Sequence, residues 1–297
     1  MIIIQAPFLL TNIDQIPKDL VKTGIHLEGN IFDGNDLKDE AVWKIINENL
    51  NIVKHQYGEI IHSLHYPMNN ANYISDPYAK DWLSRFVEIA HKFNIQTIVL
   101  HSNYFQSIDE FKVSKINETR DKYLKFFQNI NDNIMGSNVK IGVENMPIIG
   151  DKGNDYDSVF VLPSDFENFN FENIGITWDI GHWAYTYFIL DNLSNFSTAV
   201  ITQKLEFNEF ATIREKILHT HFSSFKGTTY PFSNSNCEEG IIPSEGTIAP
   251  IYLANSIKEI DKWEKPITMT LEIREDDYKN RVNIRKTIDW INNIKKA

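Results

Sequence analysis

Three carboxylates stand at the ends of runs that are rich in isoleucine and valine. They are Glu144, Asp179 and Glu272. A carboxylate in this position is predicted to be partly buried, and a partly buried carboxylate needs a cation, a metal ion or a proton to be stable. These three residues are therefore the first candidates for chemistry.

Histidines have the same placement as the carboxylates. The chain has nine of them, and seven fall in or just beyond the apolar runs: His26, His62, His65, His101, His182, His219 and His221. His219 and His221 share one face of a run, and we prefer His221 as the functional residue because it is nearer the end of the run. His65 is preferred over His62, which faces the opposite way on a strand and is interpreted as structural.

One histidine and the three carboxylates form a plausible ligand set for a metal ion. Glu144, Asp179, His221 and Glu272 come from the fifth to the eighth apolar runs. Four consecutive strands cover about half the rim of a barrel, so these side chains can converge on one point. A mixed set of oxygen and nitrogen ligands suits Mn²⁺, Mg²⁺, Co²⁺ or Zn²⁺. The alternative for Asp179 is a role as the N-cap of a following helix.

Glu28 is not assigned to this ligand set. It alternates with His26 along one strand face, and no role follows for either residue. We expect Glu144→Gln or Glu272→Gln to lower metal occupancy, because a neutral amide is a weaker ligand for a hard cation. The same change at Glu28 is expected to leave occupancy unaltered.

The elements that must position these residues repeat along the chain. Eight short β-branched runs cover residues 2–8, 24–29, 59–65, 96–101, 139–144, 174–179, 217–221 and 267–272. Stretches with helical spacing of apolar residues lie between or after them, at 76–93, 117–134, 247–263 and 281–294. Alternating strands and helices predict parallel strands joined by crossovers. Eight such units predict an α/β fold, a single (β/α)8 TIM barrel formed by one domain over residues 1–297.

Composition and missing motifs argue against several other classes. The chain has 13 glycines and no glycine-rich phosphate-binding motif, which disfavours an open doubly wound sheet with a nucleotide cofactor. A single cysteine excludes an intramolecular disulfide framework. The net charge of −11 argues against a nucleic-acid partner and favours a neutral sugar or cyclitol over a sugar phosphate. No segment predicts a membrane span or a signal peptide, so we expect a cytoplasmic protein. The oligomeric state does not follow from the sequence.

Short motifs in a fixed order resemble those of the xylose isomerase-like TIM-barrel superfamily, which includes sugar isomerases, epimerases and endonuclease IV. In chain order, the motifs include His65-Tyr66-Pro67, Leu100-His101, Val143-Glu144-Asn145, Trp178-Asp179-Ile180-Gly181-His182, His219-Thr220-His221 and Leu271-Glu272. The resemblance implies one divalent metal at Glu144, Asp179, His221 and Glu272. In the endonuclease branch it implies a second metal at His65, His101 and Glu144, and a third that includes His182.

The sequence departs from both branches after the seventh run. The endonuclease branch has an Asp-x-His pair there, whereas this chain offers Glu238 and Glu239 with no accompanying histidine. Sugar epimerases of the superfamily place an arginine shortly after the histidine of strand seven, whereas this chain has Lys226.

The leading functional hypothesis is a divalent-metal-dependent sugar or cyclitol isomerase or epimerase that works through a metal-stabilised enediolate. Glu144 and Glu272 lie three strands apart and could move a proton between the two faces of a carbon atom. The partner is then a small polyhydroxylated substrate. Weaker candidates to bind it are His65, His101, His182, Tyr66, Trp183, Phe222 and Lys226. The alternatives are an endonuclease IV-like repair enzyme acting at abasic sites, a metal-dependent dehydratase and a non-catalytic binding barrel.

Overall fold

Eight parallel strands close into a barrel in a computed structural model, which describes residues 1–102, 106–107, 113–149, 155–156, 159–192, 205–230 and 232–296. In chain order the barrel strands are β1 (Ile2–Leu9), β2 (His26–Asn30), β3 (Ile61–His65), β4 (Thr97–Leu100), β5 (Lys140–Glu144), β6 (Ile174–Asp179), β7 (Ile217–Phe222) and β8 (Ile267–Leu271). Each strand pairs with its neighbours in sequence, and β1 pairs with β8 to complete the ring. The predicted barrel is confirmed, with every predicted run matched to within two residues at each end.

Seven α-helices lie among the described residues. They are α1 (Lys18–Lys22), α2 (Glu40–Tyr57), α3 (Pro77–Phe93), α4 (Val113–Ile134), α5 (Ile180–Asn192), α6 (Pro250–Asp261) and α7 (Val282–Lys296). The four helical stretches expected from the sequence correspond to α3, α4, α6 and α7. The connection 145–173 differs from a regular unit, because its described part contains a 3-10 turn at Pro163–Phe166 and no α-helix.

Helix α2 is absent from the sequence-based expectations although its pattern is present. Its buried residues are Trp43, Ile46, Leu50 and Val53, which lie on one face at spacings of three and four residues. Asp39 caps its start by accepting a hydrogen bond from the backbone N–H of Ala41 at 2.8 Å. The same signals that predicted α3, which Asp76 caps, would have found α2.

The layer between the barrel and the helices is apolar and rich in aromatic side chains. Trp178 on β6 is fully buried and stacks on Phe210 with ring centroids 5.6 Å apart. The strand faces that pack against this layer are apolar and rich in β-branched residues, which explains why the eight runs are recognisable in the sequence. None of the described helices combines the length and apolarity needed to cross a membrane.

The inside of the barrel, by contrast, holds a hydrogen-bonded polar layer. Glu28 Oε2 lies 2.6 Å from Ser63 Oγ and 3.1 Å from His219 Nε2. Gln5 Oε1 accepts hydrogen bonds from Ser63 Oγ at 2.9 Å and from Thr270 Oγ1 at 3.1 Å. All five side chains are fully buried. This layer forms the floor beneath the carboxyl ends of the strands.

Candidate metal centre

Seven titratable side chains meet above this polar floor, at the carboxyl ends of six barrel strands. We call them the carboxylate–histidine cluster: His65, His101, Glu144, Asp179, His182, His221 and Glu272. Parallel strands in register bring their ends together, and residues two apart on a strand share a face. On one neighbouring strand, β6, Asp179 is the register partner of His221. On the other, β8, the register partner is Thr270, and Glu272 lies two residues further along the chain, on the same face as Thr270.

Glu144 is the centre of the cluster. Its carboxylate is fully buried, and Oε2 lies 3.4 Å from His65 Nε2, 3.3 Å from His101 Nε2 and 3.4 Å from His221 Nδ1. Its other oxygen, Oε1, lies 3.2 Å from His182 Nδ1. One carboxylate therefore faces four imidazole rings.

Three overlapping groups within the cluster have the spacing of metal ligands: the two described next, and a third formed by His65, His221 and Glu272. The first is Glu144, Asp179, His221 and Glu272, whose ligand atoms all lie within 4.8 Å of one another. His221 Nδ1 lies 3.8 Å from Asp179 Oδ2 and 3.4 Å from Glu272 Oε2. The second group is His65, His101 and Glu144, within the same limit. Glu144 belongs to both groups, which is the arrangement of a carboxylate that could bridge two cations.

The hydrogen bonding of these groups tests whether a cation would fit. Both oxygens of Glu144, His65 Nε2 and His221 Nδ1 are buried and make no hydrogen bond with any described residue. Burying such atoms without a partner costs roughly 1–3 kcal/mol each, and more for a charged group. A divalent cation bound to oxygen and nitrogen would satisfy them. The residues present therefore fit a divalent metal.

Backbone carbonyls fix the orientation of two of the rings. His65 Nδ1 lies 2.8 Å from the carbonyl oxygen of Tyr66, so this nitrogen donates its proton and Nε2 directs a lone pair at the cluster. His182 Nδ1 lies 3.0 Å from the carbonyl oxygen of Asn145, and its Nε2 lies 3.8 Å from Glu239 Oε1. In His65 the hydrogen bond is on the nitrogen far from the cluster, which is the usual way in which a protein orients a ligating histidine. In His182 the same nitrogen, Nδ1, faces both the Asn145 carbonyl and Glu144.

The electrostatics of the metal-free cluster follow from burial and from the mixture of charges. Burial opposes ionisation of Glu144, yet the surrounding histidines, led by His101 and His221, hold its pKa well below the usual value. Burial raises the pKa of Asp179 to about 8, and the carboxylates of Glu144 and Glu272 add to the increase. The pKa of His221 is raised well above its ordinary value because the carboxylates, Glu272 first, outweigh burial. A cation entering the site would therefore displace protons.

Asp179 has the geometry of both roles considered for it. Its Oδ1 accepts a hydrogen bond from the backbone N–H of His182 at 2.6 Å, as an N-cap of α5 does, while Oδ2 faces His221. Asn145 holds the strand end in place, because its Oδ1 accepts from the Asp179 N–H at 2.8 Å. A Cβ at Gly181, in the first turn of α5, would lie 2.4 Å from Ser223 Oγ, so a larger residue there would displace the Ser223 side chain.

Glu28, which the sequence left without a role, contacts a residue of the cluster. Its Oε1 lies 3.4 Å from His221 Nε2, on the side of the ring opposite the cluster. Its Oε2 lies 3.1 Å from His219 Nε2, and Glu28, His219 and His221 form a further group with the spacing of metal ligands. The available signal was a carboxylate inside a buried strand, the same signal that identified Glu144.

This contact predicts that Glu28→Gln will weaken metal binding. A carboxylate behind a ligating histidine orients the ring and raises its basicity, and losing it typically lowers metal affinity about 10–100-fold. Competition with a chromophoric chelator measures the affinity. The matched control is Glu48→Gln, whose side chain is exposed and pairs only with Lys44. Equal metal affinities for wild type, Glu28→Gln and Glu48→Gln would show that the contact between Glu28 and His221 does not support metal binding. The expectation from the sequence, that Glu28→Gln leaves metal occupancy unaltered, would then hold.

Three aromatic residues expected to wall the site lie elsewhere, and this expectation is corrected. Tyr66 donates to the carbonyl oxygen of Ala79 at 2.6 Å, Trp183 packs on Phe210, and Phe222 packs on Trp290. All three are buried in the layer between barrel and helices. Tyr66 and Phe222 each follow a cluster histidine directly, so strand alternation turns them to the opposite face.

The remaining candidates lie at the edge of the site or outside it. Lys226 is exposed on a short strand, Ser224–Lys226, that pairs in antiparallel fashion with Glu238–Ile241 just beyond β7. His62 packs edge-on against His26 with ring centroids 4.3 Å apart, away from the cluster. His182 faces Glu239 of this hairpin, and no second histidine joins them among the described residues.

Two cavities open beside the cluster and share Glu272 and Arg274 as walls. One of about 170 Å³ is also lined by Asp179, His182 and Glu239. The other, of about 260 Å³, lies over the ends of β1 and β2. A small molecule could therefore reach the cluster at Glu272 from either side.

Comparisons with known proteins agree with this architecture. The sequence model of the xylose isomerase-like TIM barrel family matches residues 30–294. Curated proteins give no significant match. A D-tagatose 3-epimerase-like protein superposes with a TM-score of 0.58 at 17% identity, covering 99% of both chains.

Two further solved structures differ in activity but superpose equally well. A 3-keto-D-glucoside 4-epimerase from E. coli has a TM-score of 0.59 at 12% identity, covering 100% of both chains. Endonuclease IV from Thermus thermophilus has a TM-score of 0.60 at 10% identity, covering 98% of this chain and 99% of its own. Identities this low show a shared fold and leave the activity to be argued from the site.

Proposed function

Because the chain belongs to the xylose isomerase-like TIM-barrel family, we propose that it is a divalent-metal-dependent isomerase or epimerase of a small polyhydroxylated carbonyl compound. The observation that carries the proposal is the meeting of Glu144 and Glu272 at His221 Nδ1, each with an oxygen 3.4 Å from it. The first carboxylate is fully buried, whereas the second is 29% exposed and borders both cavities. Two carboxylates beside one cation position suit proton transfer next to a carbonyl.

The chain's own residues can supply both proton-transfer groups. Glu272 is the carboxylate that a bound substrate can reach, and in our proposal it accepts the proton from the C–H bond beside the carbonyl. On the other side His182 lines the 170 Å³ cavity and contacts Glu144 at 3.2 Å. It can donate a proton to the opposite face of the carbon and then take one up from solvent in the cavity, while Glu272 releases to solvent the proton that it accepted. A divalent cation, when bound, would polarise the carbonyl oxygen.

The comparisons support the small-molecule assignment without specifying the substrate. The similar structures include a D-tagatose 3-epimerase-like protein and a D-psicose 3-epimerase in the presence of D-fructose. The net charge of −11 is also more compatible with a small substrate than with the DNA backbone.

Exchange of a substrate hydrogen with solvent tests the proposal directly. We expect the Mn²⁺-loaded protein in D₂O to replace a C–H hydrogen next to the carbonyl of a ketose or keto-cyclitol, measured by NMR. Glu272→Gln should abolish the exchange because the amide cannot accept the proton. Glu48→Gln, which changes an exposed surface carboxylate, serves as control. No exchange across a broad panel of such compounds by fully loaded protein would refute the proposal. Loss of water from a keto-cyclitol would redirect it to a dehydratase.

A second candidate, phosphodiester cleavage at abasic sites, rests on the group formed by His65, His101 and Glu144. Two cations bridged by Glu144 could activate a water molecule and stabilise the leaving oxygen. The endonuclease IV of similar fold gives this candidate its substrate. Strand nicking of a duplex containing an abasic site, abolished by Asp179→Asn, would favour it over isomerisation. We expect no nicking.

A further inference from the structure

The 260 Å³ cavity lies over the ends of β1 and β2, the two barrel strands that carry no residue of the carboxylate–histidine cluster. We call it the β1–β2 cavity, and its walls include Leu9, Asn30, Phe32, Glu272, Arg274 and Tyr278. Cluster residues come from or just after β3 to β8, so β1 and β2 are free to present other chemistry. Glu272 is common to the cavity and the cluster, so a molecule held in the cavity would touch the proposed base.

Asn30 supplies a buried acceptor without a partner. A Cβ at the preceding Gly29 would contact Leu10 and Leu64 in the outer layer, so Asn30 faces the barrel interior above Glu28. The residue is 6% exposed, and its Oδ1 is buried and makes no hydrogen bond with the described part of the chain. A buried oxygen that lines a cavity and lacks a partner is a natural site for a hydroxyl donor of a ligand.

Arg274 supplies a cation without a partner. It is exposed, lines both cavities, and its guanidinium makes no ion pair or hydrogen bond with the described residues. Its backbone N–H donates to the carbonyl oxygen of Gly240 at 2.8 Å, which fixes where the side chain begins. Two carboxylates close to it in sequence have other partners: Glu275 accepts from the backbone N–H of Ile284 at 2.7 Å, and Asp277 accepts from that of Lys279 at 2.8 Å.

Two aromatic rings complete the rim of the cavity. Phe32 is 47% exposed and Tyr278 is 41% exposed, although large apolar side chains are usually buried. Apolar walls with a few polar groups are typical of sites that bind small molecules. The combination of two rings, one amide oxygen and one guanidinium fits the C–H face, a hydroxyl and an anionic group of a single sugar derivative.

We propose that the β1–β2 cavity binds the end of the substrate remote from the reacting carbonyl, and that this end carries an anionic group, a phosphate or a carboxylate. The inference rests on the proposed function and adds the substrate class to it. Arg274 pairs with the anion through two parallel N–H donors, and Asn30 accepts a hydroxyl. The net charge of −11 suggested a neutral substrate, but a local unpartnered arginine decides binding at this distance and the distant surface charge does not.

Binding measurements on the Mn²⁺-loaded protein test the inference. Calorimetric titrations should compare fructose 6-phosphate and glucuronate with their neutral counterparts, fructose and glucose. We expect the anionic member of at least one pair to bind about tenfold more tightly, and Arg274→Gln to remove that difference while leaving the neutral sugars unchanged. Arg274→Lys should restore part of the difference because it keeps the charge and loses the paired donors. The pair that responds identifies phosphate or carboxylate.

A matched control is Arg214→Gln, an exposed arginine that precedes β7 at the opposite end of the barrel and should change nothing. Equal affinity for anionic and neutral compounds, or a preference that survives Arg274→Gln, overturns the inference. If neutral ketoses still exchange their hydrogens in that case, the proposed function stands and only the anionic class is wrong. If no compound binds or exchanges, both are wrong.

Discussion

Glu144→Gln is expected to remove metal from both ligand groups at once. Its carboxylate is the one residue that they share, and its Oε2 lies 3.3–3.4 Å from a histidine nitrogen of each group. A neutral amide is a weaker ligand for a hard cation. Changes behind a ligand already cost about 10–100-fold in affinity, so the loss here should be on the order of 100-fold or more. Catalytic exchange should disappear with the metal.

Glu272→Gln gives the informative comparison for this prediction. Glu272 belongs to the group with Asp179 and His221 but not to the group of His65, His101 and Glu144. If wild-type protein purified without chelator carries two metal ions, elemental analysis should therefore find one ion in Glu272→Gln and no ion in Glu144→Gln. Circular dichroism checks that each variant is folded, and Glu48→Gln is the surface control. Unchanged occupancy in both variants would rule out the proposed centre.

Asp179→Asn and Asp179→Ala are expected to separate metal binding from helix capping. Both variants remove the charge on Oδ2 that faces His221, so both should lose metal from the four-ligand group. Asparagine can still accept the backbone N–H of His182 through Oδ1, whereas alanine cannot. Loss of a capping side chain costs about 1 kcal/mol in the free energy of unfolding.

Urea unfolding of chelator-treated protein at pH 7 measures the capping contribution. Asp179→Asn should match wild type there, because burial raises the pKa of Asp179 to about 8 and the metal-free carboxyl is already neutral at this pH. Asp179→Ala alone should be less stable. Full metal occupancy in Asp179→Asn would show that this carboxylate is not a ligand. Equal stability of the alanine variant would show that the hydrogen bond to His182 does not support α5.

The order of apolar and polar residues along each run was sufficient to predict the barrel, and also that polar residues meet at the carboxyl ends of its strands. The outward faces of the strands are apolar and rich in β-branched residues, so all eight strands could be found without tertiary information. A polar residue that ends such a run must lie at the carboxyl end of its strand, and in a closed parallel barrel all such ends meet on one face. This reasoning located Glu144, Asp179, His221 and Glu272 together. The same reasoning, applied with strand alternation, would have assigned Tyr66 and Phe222 to the outer layer.

Contacts across the barrel interior were decided by closure of the sheet alone. His221 on β7 meets Glu28 on β2 although two strands, β8 and β1, separate them around the ring. No spacing along the chain encodes that distance, because it depends on the tilt and stagger with which the strands close. The tertiary structure likewise decided that the guanidinium of Arg274 has no partner among the described residues. The sequence determined which residues reach the mouth of the barrel, and the tertiary structure decided which of them are neighbours, because only closure brings non-adjacent strands face to face.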